Sequence, residues 1–387
     1  MKLTPRLKPY FNYKETFAIL NPFNKRGAVK RFESAFSKKF GCGYGTMFAH
    51  GRTGLYALFK VWGLKDDEII CPAYTCVVVQ HAIALSGNVP VFVDSAKDSW
   101  NMNIDLMENA ITPKTRAIVV THLFGYPMDV LKVQEMVERA QKKYGNKIYV
   151  IQDVAHSFGA KWQNELVTKH GDAAIFGLNI SKMLSSVFGG MVICNSVELD
   201  KKLKSYRNDI TKGSRLIKSI QRIAYYLAVR MSFNSYIYGF INYLERNGLL
   251  DRFVKYYEDD RIFFPTDWDS PVTNTEASVG MIQLEKYDTI VEKRVKNALA
   301  YKQKFTNDSS IKFMPHLDGC TYSHCVALVG NREDWIERYR KKRIQLGILI
   351  EYSVPEMKAY QKFKRGDYPI AASYFERTIN FPNWPNN

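Results

Sequence analysis

The sequence lacks a long apolar run, cysteines spaced for zinc, and a secretory signal. No stretch reaches the ~18–20 uncharged apolar residues of a membrane-spanning helix, and the first 15 residues contain no apolar core. The cysteines form no repeated CxxC pair, and several lie in apolar runs typical of reduced, buried thiols. We therefore expect no metal site. We also expect a cytoplasmic protein that touches at most the inner face of a membrane, peripherally.

Acidic residues are scarce relative to basic ones. The 387-residue chain has 38 Asp and Glu against 55 Lys and Arg, a net charge of +17. Such an excess favours anionic partners: phosphorylated small molecules, nucleic acid or an acidic membrane surface. The basic residues are spread along the chain without a helix-turn-helix or RNA-recognition motif, so we expect no nucleic-acid partner. The length suits two domains that share an interface.

Strand-like and helix-like segments alternate along the first half of the chain. This alternation predicts an α/β fold in which a large domain, residues 1–213 with an N-terminal arm, has a mostly parallel sheet flanked by helices. Residues 265–387 predict a small C-terminal α/β domain, with a strand over 325–329, a helix over 332–346 and an irregular tail. Catalytic groups belong at the carboxyl ends of parallel strands. The strands predicted for the large domain cover residues 68–71, 89–93, 117–121, 147–152, 173–176 and 191–194.

A segment rich in basic and aromatic residues, 214–264, interrupts this pattern. Its first part, 214–246, contains one acid, Glu245, and no proline, so it predicts one or two helices. Two interpretations stay open. The helices pack their aromatic residues on the body of the protein or on a partner subunit, or they bind an anionic membrane surface.

Three short segments contain residue types suited to holding a phosphorylated ring. Residues 50–55 form a glycine-containing turn at a predicted helix start, where backbone N–H groups can bind a phosphate. Asp153 and His156 follow a strand end, and a carboxylate opposite a pyridine nitrogen keeps that nitrogen protonated. Lys182 lies in a Gly/Ser-rich apolar loop, where desolvation would lower its pKa and favour covalent chemistry. Taken singly, each segment has an ordinary alternative: a helix start, an aspartate cap with a core histidine, or a surface lysine.

The order and spacing of these three segments resemble one family, the DegT/DnrJ/EryC1/StrS sugar aminotransferases. The combination is specific, although no segment is specific alone. The resemblance implies the aspartate-aminotransferase-like fold of type I, pyridoxal 5'-phosphate as cofactor, and a homodimer with sites at the subunit interface. It covers roughly residues 28–210 and 267–385, and further matching segments are 71–77, 110–118, 122–129, 277–284 and 368–382.

The same resemblance implies a reaction and a set of residue roles. An amino donor, commonly glutamate, would load the cofactor, and the amine would pass to a keto group on a nucleotide-linked sugar. This places the enzyme in amino-sugar, polysaccharide or lipopolysaccharide biosynthesis. Lys182 would hold the cofactor and move a proton, Asp153 would pair with the pyridinium nitrogen, and His156 would lie near the ring hydroxyl. The implied cofactor-binding residues are Gly51, Arg52, Tyr74, Cys76, Asp153, His156, Asn179, Ser181 and Lys182.

Several positions depart from the family pattern. Gly177 replaces a phosphate-binding serine, for which Asn179 and Ser181 could substitute, and Cys76 replaces an aromatic residue that often stacks on the ring. Lys182 argues against the family's dehydratase branch, which has histidine there. We expect a divergent aminotransferase with a different substrate, and a catalytically weakened member is the alternative. The other replacements are Phe188 for a glutamate, and Asp269 and Pro271 for the Asn and Arg that a partner subunit usually lends.

Overall fold

A seven-stranded sheet forms the centre of the computed structural model, which describes residues 3–21, 26–234, 236–247, 249 and 257–384. Residues 235, 248 and 250–256 of the predicted insertion lie outside the described residues. The first nine strands are β1 (Tyr44–Phe48), β2 (Glu68–Pro72), β3 (Val89–Val93), β4 (Thr115–Thr121), β5 (Tyr149–Asp153), β6 (Lys161–Trp162), β7 (Glu165–Leu166), β8 (Ala173–Gly177) and β9 (Gly190–Cys194). Of these, β6 and β7 form a separate two-stranded ribbon.

The strands of the large sheet follow the order β1-β9-β8-β5-β4-β2-β3. The pairs β2–β3, β2–β4, β4–β5 and β5–β8 are parallel, and β9 runs antiparallel to both of its neighbours. The central strands are buried along their length, as expected when helices cover both faces of a parallel sheet. The predicted α/β fold with a mostly parallel sheet is therefore confirmed.

Helices flank this sheet on both sides, and the large-domain helices expected from the sequence are present with ends shifted by a few residues. The longest of them begins after the Asp129 side-chain cap and ends at Gly145, whose left-handed backbone closes the last turn. The helices are α1 (Tyr13–Leu20), α2 (Ala28–Lys39), α3 (Gly51–Val61), α4 (Val78–Leu85), α5 (Ile104–Asn109), α6 (Val130–Tyr144), α7 (Val197–Ile210), α8 (Arg215–Ser232), α9 (Tyr238–Arg246), α10 (Asn274–Glu285), α11 (Tyr287–Lys304), α12 (Arg332–Lys341) and α13 (Pro369–Arg377).

A second, three-stranded antiparallel sheet lies in the C-terminal part of the chain. It contains β10 (Ile311–Phe313), β11 (Cys325–Val329) and β12 (Thr378–Phe381), in that spatial order. The predicted strand at Cys325–Val329 is confirmed, but the expected irregular tail is wrong because α13 and β12 lie in it. The predicted helix over 332–346 ends earlier, at Lys341, since Arg343 adopts a left-handed backbone and Ile344 pairs with Thr4.

The segment 214–246 forms α8 and α9, as predicted, and one face of α8 packs on the body of the protein. Tyr226 is fully buried, with its hydroxyl 2.8 Å from Thr16 Oγ1 of α1, and Arg222 is buried against α10. None of the helices among the described residues has the length and apolarity needed to cross a bilayer. The limits of the insertion and of the two domains stay a prediction.

Candidate active site

The ends of β5 and β8 and the start of α3 meet at one edge of the large sheet. β5 ends at Asp153 and pairs in parallel with β8, which ends at Gly177 and leads into the loop that carries Lys182. β9 begins beside them at Gly190, because it runs in the opposite direction. The parallel sheet therefore brings an aspartate, a lysine and a helix N-terminus to one place.

Close backbone contacts hold the start of α3 against the sheet, and only glycine permits them. A Cβ at Gly190 would lie 2.2 Å from the backbone nitrogen of Gly51, and a Cβ at Gly51 would lie 2.9 Å from the carbonyl oxygen of Phe176. The first turn of α3, with Gly51 and Arg52, therefore lies directly beside the ends of β8 and β9. A helix N-terminus has unsatisfied N–H groups and partial positive charge, so this turn suits a phosphate.

An ionic network surrounds His50, the residue that precedes α3. His50 Nε2 lies 2.8 Å from Asp267 Oδ1, and Asp267 Oδ2 accepts hydrogen bonds from Lys218 at 2.9 Å and Arg222 at 3.1 Å. Burial raises the pKa of Asp267, but the hydrogen bonds from His50 and Lys218 outweigh burial and hold that pKa well below its usual range. Asp267 is therefore ionised, and it links α8 to the phosphate turn.

Asp153 is buried at the end of β5. Its carboxylate accepts hydrogen bonds from the backbone N–H of Ala155 at 3.1 Å and from the hydroxyl of Thr121 at 3.2 Å. Burial raises the pKa of Asp153, while the Ala155 N–H and the charge of Lys182 act against that rise. A buried carboxylate needs a positive partner to stay ionised, and the protonated nitrogen of a pyridine ring is such a partner.

Lys182 is half-buried, and its side chain packs over Gly177. A Cβ at position 177 would lie 3.2 Å from Lys182 Cε, so the glycine that replaces the family serine leaves room for the lysine. Burial lowers the pKa of Lys182, while Cys76 and Asp153 act in the opposite direction. The lowered pKa increases the fraction of neutral amine, which is the nucleophilic form.

Three rings form a wall beside the lysine. Phe124 and His156 stack with their centroids 5.7 Å apart, and the ring of His324 lies 4.9 Å from that of His156. Burial lowers the pKa of both histidines, and the nearby charge of Lys182 lowers each further, so both rings are neutral at pH 7. His156 Nδ1 is buried and has no hydrogen-bond partner within the part of the chain that the structure describes.

The structure places Tyr74 and Cys76 in different surroundings. Tyr74 is fully buried behind the wall, where its ring packs edge-on against Phe124 and its hydroxyl lies 3.1 Å from Thr378 Oγ1. Cys76 is half-buried and close enough to Lys182 to interact with it electrostatically. Of these two, Cys76 is therefore the residue next to the reactive amine.

The remaining predicted residues lie in the loop that carries the lysine. Asn179 Oδ1 accepts hydrogen bonds from the backbone N–H of Ser181 at 3.1 Å and from its hydroxyl at 2.6 Å, so the two side chains stabilise the turn together. Phe188, which replaces the family glutamate in the same loop, packs 3.9 Å from the guanidinium of Arg222. The loop therefore contacts α8 of the insertion directly.

Sequence reasoning missed three residues that the fold brings to this site. Phe124 belongs to the matching segment 122–129, but only its left-handed backbone, with φ of 57°, distinguishes it as a special position. His324 comes from the C-terminal sheet, and the signal in the sequence is a histidine directly before a predicted strand. Asp267 comes from the segment before α10, and no local pattern connects it with His50.

The sequence that forms this site matches a family of known proteins. The sequence profile of the DegT/DnrJ/EryC1/StrS aminotransferase family matches residues 21–235 and 239–387. The chain belongs to this family. It is a pyridoxal-phosphate-dependent sugar aminotransferase, as the resemblance implied.

Three of the matched proteins are distant in sequence but match nearly the whole chain. A GDP-perosamine synthase of Escherichia coli O157:H7 is 26% identical over 370 residues, which are 94% of this chain and 86% of that protein. The sugar aminotransferase Spr1654 of Streptococcus pneumoniae, in its pyridoxal phosphate form, superimposes with a TM-score of 0.76 at 20% identity over 100% of this chain and 94% of that one. Helicobacter pylori PseC, an aminotransferase of pseudoaminic acid biosynthesis, gives a TM-score of 0.76 at 19% identity over 99% and 94%.

The residues at the site fit pyridoxal phosphate. His156 Nδ1 is a buried atom without a partner in the described residues, so it can bond to a polar group of the ring. The buried carboxylate of Asp153 needs a cation beside it to stay ionised. Because Gly51 and Gly190 have no Cβ, the first turn of α3 lies close to the strand ends, where its N–H groups can bind the phosphate. When bound, the cofactor supplies an electron sink for the carbon that loses a proton.

Proposed function

We propose that this enzyme transfers an amino group, with glutamate as donor, to a keto group on a nucleotide-linked sugar. The observation that carries this proposal is the packing of Lys182 over Gly177, one strand away from the buried Asp153. Burial lowers the pKa of Lys182, which favours the neutral amine, and Asp153 is near enough to interact with it. That combination suits covalent binding of the cofactor and proton transfer by one side chain.

The substrate class rests on the relatives and on charge. The relative from Escherichia coli is a GDP-perosamine synthase, which supports a nucleotide-linked sugar and amino-sugar biosynthesis for polysaccharide or lipopolysaccharide. The net charge of +17 favours a substrate with a diphosphate. The replacements at Gly177, Cys76 and Phe188 alter the surroundings of the lysine. They support a sugar different from that of family members that keep the family pattern at these three positions.

We propose these roles for the site residues. Lys182 moves the proton at the reacting carbon, Asp153 holds the ring nitrogen protonated, and neutral His156 bonds to the ring through Nδ1. Gly51 and Arg52 present the first turn of α3 to the phosphate. Asn179 and Ser181 stabilise the loop of the lysine, Cys76 lies beside the amine, and Tyr74 supports the wall from behind.

Two further proposals concern assembly and location. We propose a homodimer with the site at the subunit interface, which the family resemblance supports. We propose the cytoplasm as the location, because the six cysteines, all among the described residues, form no disulfide, which is typical of a reducing compartment. Sedimentation velocity on the holoenzyme tests the first proposal, and a single species of monomer mass would contradict it.

The decisive experiment fixes the cofactor covalently with borohydride and maps it by peptide mass spectrometry. In the wild type we expect the label on Lys182, and in Lys182→Ala we expect no label on any peptide. Lys169→Ala is the matched control, because Lys169 is an exposed lysine paired with Glu165 and should leave labelling unchanged. A label that stays in Lys182→Ala would refute the assignment.

Transamination itself is tested in two halves. Glutamate added to the loaded wild type should release 2-oxoglutarate and convert the cofactor to its amine form. A panel of nucleotide-linked keto sugars should then restore the aldehyde form and yield the amino sugar. Labelling at Lys182 without either half-reaction would favour the catalytically weakened alternative.

A further inference from the structure

Helix α8 of the insertion turns two of its four cationic residues, together with the apolar Tyr226 and Val229, toward the body of the protein. Its cationic residues Lys218 and Arg222 face the body, where they pair with Asp267, and Arg222 also pairs with Glu276 at 2.7 Å. The side chains of Lys218 and Arg222 are only 11% and 7% exposed. In a surface helix, charged residues normally face water and the apolar stripe faces the core. In α8 two of the four charges face inward instead, while Arg215 and Arg230 stay exposed.

A second apolar stripe of α8 faces outward. Ile217, Ile220, Leu227 and Met231 recur at helical spacing, and Met231 is 65% exposed. Between them lie the exposed Gln221, Ala224 and Ala228, of which only Gln221 is polar. The described part of the chain places no residue over this stripe that would bury it.

The neighbouring helices α1 and α9 contact α8 and expose apolar residues of their own. α1 joins α8 through the contact between Thr16 and Tyr226, and α9 joins it through the stacked rings of Phe233 and Tyr238, with centroids 5.4 Å apart. Both helices also expose residues at i, i+4 and i+7, with Tyr236 just before α9 83% exposed. We call this surface the apolar face. It consists of Tyr13, Phe17, Leu20, Leu216, Ile217, Ile220, Leu227, Met231, Tyr236, Ile237, Phe240 and Tyr243.

The charges around the apolar face have one sign. The acids within residues 12–20 and 214–247 are Glu15 and Glu245, and ion pairs neutralise both: Glu15 with Lys286 at 2.5 Å, and Glu245 with Arg6 at 2.7 Å. Lys14, Arg215 and Arg230 are exposed in the same helices, and Arg230 bonds to neutral oxygens of Asn12 and Thr16. The face is therefore apolar and aromatic with a positive rim.

We propose that the apolar face docks on an anionic membrane surface, with α8 lying in the plane of the interface. Exposed apolar and aromatic side chains at helical spacing with a basic surround are the features of interfacial helices, and tyrosine is enriched at the membrane–water boundary. A second copy of this chain is the less suitable occupant. A two-fold partner would bring the same basic rim against this one, and the two acids of residues 12–20 and 214–247 are already paired.

The proposal does not depend on the transamination chemistry. The residues of the apolar face point away from the body, whereas the opposite side of α8 contacts the catalytic loop through Arg222 and Phe188. Substitutions on the apolar face should therefore leave the absorbance of the bound cofactor and activity without membranes unchanged. The two properties can be measured separately on one protein.

The test is co-sedimentation of the holoenzyme with vesicles at physiological salt. One set of vesicles contains phosphatidylglycerol and phosphatidylethanolamine, and the other contains phosphatidylcholine alone. We expect the wild type to bind the anionic vesicles and to bind the neutral ones at least tenfold more weakly. The triple variant Ile220→Ser/Leu227→Ser/Phe240→Ser should lose at least tenfold in the partition coefficient, and Lys14→Glu/Arg215→Glu should lose binding with a reduced salt dependence.

The matched control is Leu106→Ser/Leu131→Ser, which removes exposed leucines away from the apolar face and should bind as the wild type does. Cofactor absorbance and thermal unfolding establish that each variant is folded. Equal binding by the triple variant and the wild type, or no binding of the wild type to anionic vesicles, would overturn the proposal. A fall of the triple variant to half the wild-type mass in sedimentation velocity, without vesicle binding by the wild type, would assign the face to a second copy instead.

Discussion

The carboxylate of Asp267 lies 2.8 Å from the imidazole of His50, and this contact joins two parts of the chain that are 217 residues apart. His50 directly precedes the first turn of α3, and the other oxygen of Asp267 is held by Lys218 and Arg222 of the insertion. The insertion therefore reaches the proposed phosphate turn through a single acid.

The first prediction concerns cofactor affinity. Asp267→Asn should weaken pyridoxal phosphate binding by about tenfold, because the neutral amide holds His50 and Lys218 less firmly and so positions the phosphate turn less well. Titration of the apoenzyme, followed by cofactor absorbance, measures the dissociation constant. Asp288→Asn, which removes an exposed partner of Lys39, should leave the constant unchanged. Equal affinity in both variants would show that the network does not act on the turn.

The second prediction concerns the ion pair between Arg222 and Glu276. Arg222→Met should lower the free energy of unfolding by about 3 kcal/mol, since it leaves a buried carboxylate without its cation. Burial already raises the pKa of Glu276, and Arg222 opposes that rise. The double variant Arg222→Met/Glu276→Gln should recover part of the loss. Urea unfolding of the four proteins completes a double-mutant cycle, and additive effects would argue against coupling.

The third prediction concerns the glycine under the lysine. Gly177→Ser restores the residue type of the family but places a Cβ 3.2 Å from Lys182 Cε. We expect covalent attachment of the cofactor to slow by about tenfold or more, because a displaced amine approaches the aldehyde poorly. Stopped-flow absorbance measures the rate. Gly330→Ser, at an open surface position, is the control. Attachment at the wild-type rate would mean that the lysine has an alternative path.

The fourth prediction concerns stability at low pH. His122 is buried with Nδ1 accepting the Met128 N–H and Nε2 donating to Gln152, and burial lowers its pKa to about 4. In the unfolded chain His122 has its usual pKa of about 6.5, so it takes up a proton at a higher pH than it does in the folded state. The folded state is therefore destabilised as the pH falls from about 6.5 to about 4. This single group should account for about 3 kcal/mol over that interval.

Urea unfolding at pH 7.0, 5.5 and 4.5 tests this pH dependence. The variant His122→Gln should be less stable at neutral pH but should lose less stability on acidification than the wild type does. His316→Gln, at a half-exposed histidine, should keep the wild-type slope. Identical slopes in all three proteins would assign the acid sensitivity to other groups, such as His81, whose pKa burial also lowers to about 4.

The parts of the fold that the sequence predicted are those with strong local patterns. The strands that end at Val93, Thr121 and Asp153 are continuous apolar runs, and their order forces the parallel sheet. β1 was missed because Tyr44–Phe48 contains glycine at its second position and is held at the sheet edge only by pairing with β9. Tertiary pairing also produces β12, which has just four residues and lies between β11 and the end of the described chain.

The candidate site divides in the same way. Lys182 and Asp153 follow strands, so the rule for parallel sheets was enough to expect them near each other. His324 and Asp267 come from segments more than 80 residues further along the chain, and only the assembled fold brings them to His156 and His50. The orientation of Tyr74 also depends on a distant partner, Thr378, which no local pattern could reveal.

The ion pairs of Arg222 make α8 inseparable from the acids beneath it. Removing the insertion to obtain a simpler enzyme would take Lys218 and Arg222 away from Asp267 and Glu276. The two carboxylates would then repel each other close to the phosphate turn. A shortened chain would therefore need both acids replaced in the same step. The insertion and the two acids therefore have to be transferred together to another protein of this fold. Transfer of the insertion alone would place Lys218 and Arg222 beside the phosphate turn without their acids.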